Sequence, residues 1–449
     1  MRTLYICYFG LREPLVQTQV LPYLRELSGG GVGVHLLTFE PDARRRWPPR
    51  ELEAERARLR AEGIEWFCLP YHKRPTVPAT VYDILAGAWF AARHVRRARL
   101  DVLHARAHVP LAMALLARSL SPARVRLVFD IRGLMAEEYA DAGVWSEKSA
   151  AYRAVKRLEH AGLRRADRIV VLTRRMRDWL VGERMVSAAR VAVIPCCVDF
   201  SRYGVRDEAE ASSGEVEAAR DADAEASDAD AEARGTDDET GGGRFDETRD
   251  GGRFEVVYAG SVTGLYMLEE MGRFFACLRA REPRAFLRVL TASSHEEAAA
   301  VLRRAGLAPA EFWVGFAPAA EVPRYLRRAR LGLSFRKPTF SQIAASPTKI
   351  AEYLAAGLPI VSNAGIGDTD WLLTDERVGV LVGEFTREEY ARAAEASLKL
   401  AGEPGVGGRC AAAARKHFDL AAIGGARYLE IYSRLEGPPE DHPEVEPSR

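Results

Sequence analysis

Lysine is scarce in this chain: 449 residues include seven lysines against fifty-seven arginines. Cysteine is sparse and unpatterned. Cys7, Cys68, Cys196, Cys197, Cys277 and Cys410 form no Cys-x-x-Cys pair, which excludes a zinc ribbon and a disulfide framework and predicts reduced, buried thiols. No His/Cys/Asp cluster has metal-ligand spacing, so neither a metal nor a cofactor is expected. Long apolar runs are missing as well. The stretch 1–10 is too short for a signal peptide's hydrophobic region, and nothing is long enough to span a bilayer; the expected location is the cytoplasm, with peripheral contact at the inner face of the membrane as an extension. A dinucleotide fingerprint is also absent. Gly29-Gly30-Gly31-Val32-Gly33 follows a helical pattern and precedes a strand, the wrong edge of a sheet for a phosphate loop, and reads as a helix terminator.

The formal net charge of +1 hides an asymmetry. Residues 207–239 carry fourteen acidic side chains against two arginines, which leaves the remainder of the chain near +13. Arg44-Arg45-Arg46 and the arginine-rich stretches 93–99 and 153–177 hold much of that positive charge in the N-terminal half. No aromatic-and-basic platform accompanies it, so nucleic acid is not the expected partner. Anionic lipid headgroups or phosphorylated substrates fit it at least as well, the alternative being scattered solvated faces.

Apolar runs at 4–9, 32–39, 64–69, 101–104, 125–130, 169–172 and 191–194 alternate with helical patterns such as 15–27, 81–97, 110–117 and 150–163. That alternation predicts a parallel sheet covered on both faces. A second series, at 254–258, 286–290, 312–314, 331–335, 359–362 and 380–382, predicts another. The fold class is therefore α/β, with two Rossmann-like domains facing each other across a cleft. The expected division is 1–204, an acidic low-complexity insertion at 205–253 with almost nothing to bury, 254–416, a closing helix at 417–436, and a loose tail at 437–449.

Ligands in open α/β sheets bind beyond the carboxyl ends of the strands. Gly10 follows the first strand and Gly260-Ser261 the first strand of the second domain, and a glycine there lets a phosphate or acceptor approach the backbone. His104 and His108 follow another strand, and Asp130 with Arg132 ends a further one; for each, local hydrogen bonding is the alternative. Arg336-Lys337 ends the strand 331–335. The next segment, 346–359, reads as a helix with both ends specified: Ser346 at the N-cap, Pro347 at the first helical position, Gly357 in the left-handed position after the last turn, and Pro359 as the stop. Lys349 and Glu352, three apart, share a face near the positive end of the helix dipole, as a diphosphate and a hydroxyl-rich group would require. A solvated ion pair is the plainer alternative.

The stretch from Ser346 to Asp368 resembles the donor-binding motif of family-four glycosyltransferases of the GT-B fold, and Glu352 with Ala356-Gly357-Leu358-Pro359 occupies the position of the glutamate that holds the ribose. The resemblance implies a retaining, metal-independent transferase that moves a sugar from a nucleotide diphosphate sugar to a hydroxyl acceptor, lipid-linked in some cases, in bacterial surface glycan or glycolipid synthesis. It also implies a closing helix that packs back across the junction. With the strand-end and helix-end readings added to this resemblance, the expected donor-binding residues are Glu352, Lys349, Arg336, Lys337, Ser346, Gly260 and Ser261; the expected catalytic residues are Asp130, Arg132 and Lys349; Gly10, His104 and His108 are expected to meet the acceptor or a phosphate. Two departures stand out: Ala344 replaces the family's other glutamate, and no Arg or Lys lies in 258–269. A sugar-nucleotide epimerase of the same fold and a catalytically silent glycan-assembly partner are the alternatives.

Overall fold

A strand apolar at successive positions has no face fit for water and belongs in a sheet covered on both sides. The computed structural model describes residues 1–121, 124–203 and 252–436. All thirteen apolar runs are strands. β1 (Arg2–Ile6), β2 (Gly33–Pro41), β3 (Ile64–Tyr71), β4 (Val102–Arg106), β5 (Arg126–Asp130), β6 (Arg168–Val171) and β7 (Val191–Val193) form one parallel sheet in the order 3-2-1-4-5-6-7. β8 (Phe254–Ala259), β9 (Ala285–Leu290), β10 (Phe312–Gly315), β11 (Leu331–Ser334), β12 (Ile360–Asn363) and β13 (Gly379–Val382) form the second, in the order 10-9-8-11-12-13. In each the chain reverses direction beside the domain's first strand, between β1 and β4 and between β8 and β11. Those two switch points open crevices. The expectations for 205–251 and for 437–449 lie outside the described residues.

Period-two patterning divides the N-terminal sheet cleanly. Leu4 and Ile6 pack under helices Thr76–Ala98 and His108–Leu120, whereas Tyr5 and Cys7 face helix Leu21–Gly29 and the end of the chain. The helical pattern 15–27 is two helices, Pro14–Gln19 and Leu21–Gly29, parted at Val20, where Pro22 in the first turn restarts the chain. Gly31 takes a left-handed φ of +86°, and Gly30 has a further duty: a Cβ there would clash with the Leu429 side chain.

The closing segment is not one helix. Helix Val406–Phe418 stops at Asp419, whose carboxylate accepts a hydrogen bond from the Ala422 N–H; a wider-wound turn, Leu420–Gly425, follows, then helix Ala426–Glu436. That last helix belongs to the N-terminal domain's core. Tyr428, Ile431, Tyr432 and Leu435 are buried there, and the Tyr432 hydroxyl lies 2.9 Å from Thr3 Oγ1 and 3.0 Å from His104 Nδ1.

The domains also meet through loop 339–346. Ala344 lies within the N-terminal hydrophobic core, Trp179 stacks edge-on against Phe340, and Thr173 Oγ1 donates to the Ile343 carbonyl at 2.5 Å. Asp368 reaches across to the N-terminus of helix Arg174–Gly182, accepting from the N–H groups of Arg174 (2.8 Å) and Arg175 (3.2 Å). A capping carboxylate contributes about 1 kcal/mol. Asp368→Ala is therefore expected to lower stability by about that amount and to speed amide exchange at residues 174–176, read by hydrogen exchange; unchanged exchange there would dismiss the latch.

Candidate functional site

The switch point of the second sheet holds a buried lysine whose pKa is strongly displaced. Gly260 follows β8 with φ +140°, and a Cβ built on it would stand 3.0 Å from Lys349 Nζ and 3.2 Å from its Cε. Only glycine lets the ammonium lie against this loop. Lys349 sits in the first turn of helix Thr348–Ala355 and is 4% exposed. Its ammonium donates to the Tyr258 hydroxyl at 3.3 Å and lies 4.5 Å from the Tyr258 ring centre and 4.0 Å from that of Tyr266. Among the described residues no carboxylate comes within ion-pair distance of it. Burial, and then the nearby Arg336 charge, push the Lys349 pKa well below the ordinary lysine value, with Glu352 offsetting part of the effect. Two aromatic faces soften the burial of the charge without neutralising it.

Arg336, after β11, is held for the same space. Its Nε donates to Gln342 Oε1 at 2.6 Å, its backbone N–H to Asn363 Oδ1 at 2.7 Å, and its guanidinium stacks 4.7 Å above Tyr266. Lys337 and Ser261 are exposed at the rim; Ser261 Oγ lies 3.2 Å from Thr263 Oγ1. Glu352, one turn beyond Lys349, is half-buried. Burial raises its pKa against the opposing pull of Tyr203, Arg202 and Lys349. The buried Tyr203 hydroxyl faces this carboxylate and is the foremost of the groups that oppose the rise. From the N-terminal domain Glu138 approaches Arg336; burial raises its pKa too, with Arg336 and His108 working against that rise.

The N-terminal candidates fall elsewhere. The Gly10 turn is already taken by a carboxylate: Glu40 Oε1 accepts the Leu11 N–H at 2.8 Å, Glu40 Oε2 accepts from Trp47 Nε1 at 2.9 Å, and a Cβ on Gly10 would strike Glu40 at 2.9 Å. A phosphate would meet a like charge there. His104 is fully buried between the sheet and the closing helix, and His108 is buried with its Nε2 3.0 Å from Glu159 Oε2. Neither opens on the cleft. Asp130, expected to serve catalysis, is a buried hub: Oδ2 accepts from the Tyr428 hydroxyl at 3.0 Å and lies 3.5 Å from Arg106 Nη1, while Oδ1 is 3.6 Å from Arg132 Nη1. Burial alone would raise its pKa, but Arg132, His104 and Arg106 outweigh it and hold the carboxyl far below the usual range. Arg132 adopts a left-handed φ of +53° and turns its other nitrogen toward Cys196 Sγ at 3.4 Å. Ser346 is not the helix cap either. Its hydroxyl accepts the Cys196 N–H across the junction at 3.1 Å, and the helix begins one residue later, with Pro347 in the cap position. Gly357 does hold the left-handed position, φ +73°, and the Leu358 N–H returns to the Tyr353 carbonyl at 2.9 Å.

Tyr258, Tyr266, Gln342, Asn363 and Glu138 complete the geometry and escaped sequence reasoning. Asn363 at a strand's carboxyl end carried a usable signal; the two tyrosines read as ordinary core.

Residues 16–197 match the model of the glycosyl transferase 4-like domain. No curated protein matches the chain by sequence. Solved structures do match over its whole length: a sucrose-phosphate synthase from Thermosynechococcus elongatus (TM-score 0.66, 14% identity, 97% of this chain and 99% of that one), a glycosyltransferase from Rickettsia africae (0.64, 11%, 97% and 98%), and HepE from Anabaena in complex with UDP and glucose (0.62, 14%, 96% and 99%). The chain has the GT-B fold. Among the described residues no cluster of His, Cys, Asp or Glu could hold a metal ion, and no helix is long and apolar enough to cross a membrane.

Proposed function

We propose that this protein is a glycosyltransferase that moves a sugar, a hexose by its resemblance, from a nucleotide diphosphate sugar to a hydroxyl acceptor, without a metal and with retained configuration, in the synthesis of a bacterial surface glycan or glycolipid. The observation that carries this reading is the buried ammonium of Lys349 at the switch point, held against Gly260 with no carboxylate beside it. A departing diphosphate gains negative charge in the transition state, and fixed positive groups in a water-poor crevice stabilise that gain most. Lys349, Arg336 and Lys337 supply them, together with the first-turn N–H groups of helix Thr348–Ala355. No carboxylate stands out as a covalent nucleophile. The step is then a same-face displacement in which the leaving phosphate helps deprotonate the acceptor. Glu352, whose carboxylate faces Tyr203, would accept the ribose hydroxyls.

The burial of Ala344 in the N-terminal core favours one competing reading, a silent partner that binds the donor without turnover, because the family's second glutamate has no substitute at that place. Titration of a nucleoside diphosphate series, followed by turnover with its sugars over an acceptor panel, separates binding from transfer. Affinity is expected to fall stepwise from wild type to Glu352→Gln to Glu352→Ala, by about 1 to 3 kcal/mol at the extreme. Unchanged affinity in a cooperatively melting Glu352→Ala protein would remove Glu352 from the donor site.

A further inference from the structure

Helix Thr76–Ala98 turns an apolar row to solvent. Its buried side is built of small residues, Ala79, Gly87, Ala88, Ala91 and Ala92, which let it lie close on the N-terminal core. The large residues face the other way: Val77, Val81, Leu85 and Trp89, four apart, stand on one stripe with Tyr82 beside them, all between 49% and 68% exposed. Soluble helices normally bury such a stripe. The row runs about 18 Å along the helix axis. Both ends are cationic, with Lys73 and Arg74 before the helix and Arg93, Arg96 and Arg97 in its last turns, all exposed. The single acid in the helix, Asp83, is fully buried, held 2.7 Å from the Tyr8 hydroxyl and 2.6 Å from His72 Nδ1. Arg96 also donates to the Leu120 carbonyl at 3.0 Å, bringing exposed Leu120 to the same end.

We infer that this face docks the N-terminal domain on an anionic lipid bilayer, with Val77, Val81, Leu85 and Trp89 entering the headgroup boundary and the flanking cations resting on lipid phosphates. Charge decides between the occupants. Two copies of this chain pairing through the stripe in antiparallel fashion would set Lys73 and Arg74 of one against Arg93, Arg96 and Arg97 of the other, cation against cation, whereas a lipid surface offers apolar depth and negative charge together. Trp and Tyr are also the side chains that favour that boundary. Of the three basic stretches in the N-terminal half, this geometry selects 93–99.

The test is sedimentation of the full chain with vesicles of phosphatidylcholine alone and of phosphatidylcholine with phosphatidylglycerol, at low and high salt, with sedimentation velocity of the lipid-free protein alongside. Wild type is expected to pellet with the anionic vesicles, less so at high salt, and Leu85→Glu to stay in the supernatant with an unaltered melting curve. The triple variant R93S/R96S/R97S should lose about fivefold in lipid affinity per arginine. Equal pelleting of Leu85→Glu and wild type, or equal pelleting with neutral and anionic vesicles, overturns the proposal. So does a dimer that Leu85→Glu dissolves in a protein that binds no lipid.

Discussion

Lys349→Met is expected to lose nucleoside diphosphate binding while making the unliganded protein more stable. An ammonium buried without a carboxylate partner opposes folding, and an apolar side chain of similar length fills the same space between Tyr258 and Tyr266. The expected gain in unfolding free energy is about 1 kcal/mol or more at neutral pH. Its pH dependence follows from the depressed pKa. Below the folded-state value the lysine is charged in both states and its burial penalty is complete; as pH rises toward the ordinary value of 10.5 the folded lysine is already neutral, and the penalty vanishes. The stability difference between variant and wild type should therefore shrink on the alkaline side. Ligand reverses the balance. A diphosphate beside Lys349 favours its charged form, so at alkaline pH, above the folded-state value, binding to wild type should take up protons, seen calorimetrically as an enthalpy that depends on the buffer's ionisation heat. Loss of the charge-assisted contact should cost about 1.5 to 3 kcal/mol in affinity. Wild-type binding with no proton uptake, together with undiminished affinity in Lys349→Met, would remove this lysine from the site.

Asp130→Asn should have the largest effect on stability. The substitution keeps shape but leaves Arg106 and Arg132 buried without the carboxylate that both face, and breaking a buried charge cluster from one side costs about 3 to 5 kcal/mol. Because the folded pKa of Asp130 lies below the ordinary aspartate value of 3.8, its contribution is complete above that value and is lost as pH falls below it. Urea unfolding of wild type and variant should thus differ widely at pH 7 and converge in acid. Tyr428 binds the same carboxylate, so amide exchange in helix Ala426–Glu436 should quicken in the variant. A variant as stable as wild type at pH 7 would show that the arginines find other partners and that the hub is dispensable.

Period and punctuation carried the architecture. The run 4–9 is apolar on both faces, which a strand tolerates only inside a covered parallel sheet, and the helical patterns between such runs fix the crossovers. Gly357 before Leu358-Pro359 announced a left-handed helix end because few other residues accept that conformation cheaply. Strand ends were legible as well, so Gly260, Arg336 and Lys349 could be placed near one crevice. The sites in the N-terminal domain were not. Gly10 follows a strand just as Gly260 does, while His104 falls in the middle of β4, and partners distant in the chain occupy both: Glu40 fills the Gly10 turn, and Tyr432, more than three hundred residues on, covers the histidine.

The sequence by itself determined the two sheets, their parallel sense and the helix that carries Lys349 and Glu352, because these depend on residues close enough in the chain for periodicity and capping to record. Only the tertiary structure decided which polar groups remain free for a ligand. Burial and pairing are set by contacts between distant segments, so a lysine reads the same in sequence whether it sits in water or under two tyrosines, and an aspartate the same whether it faces a substrate or two arginines.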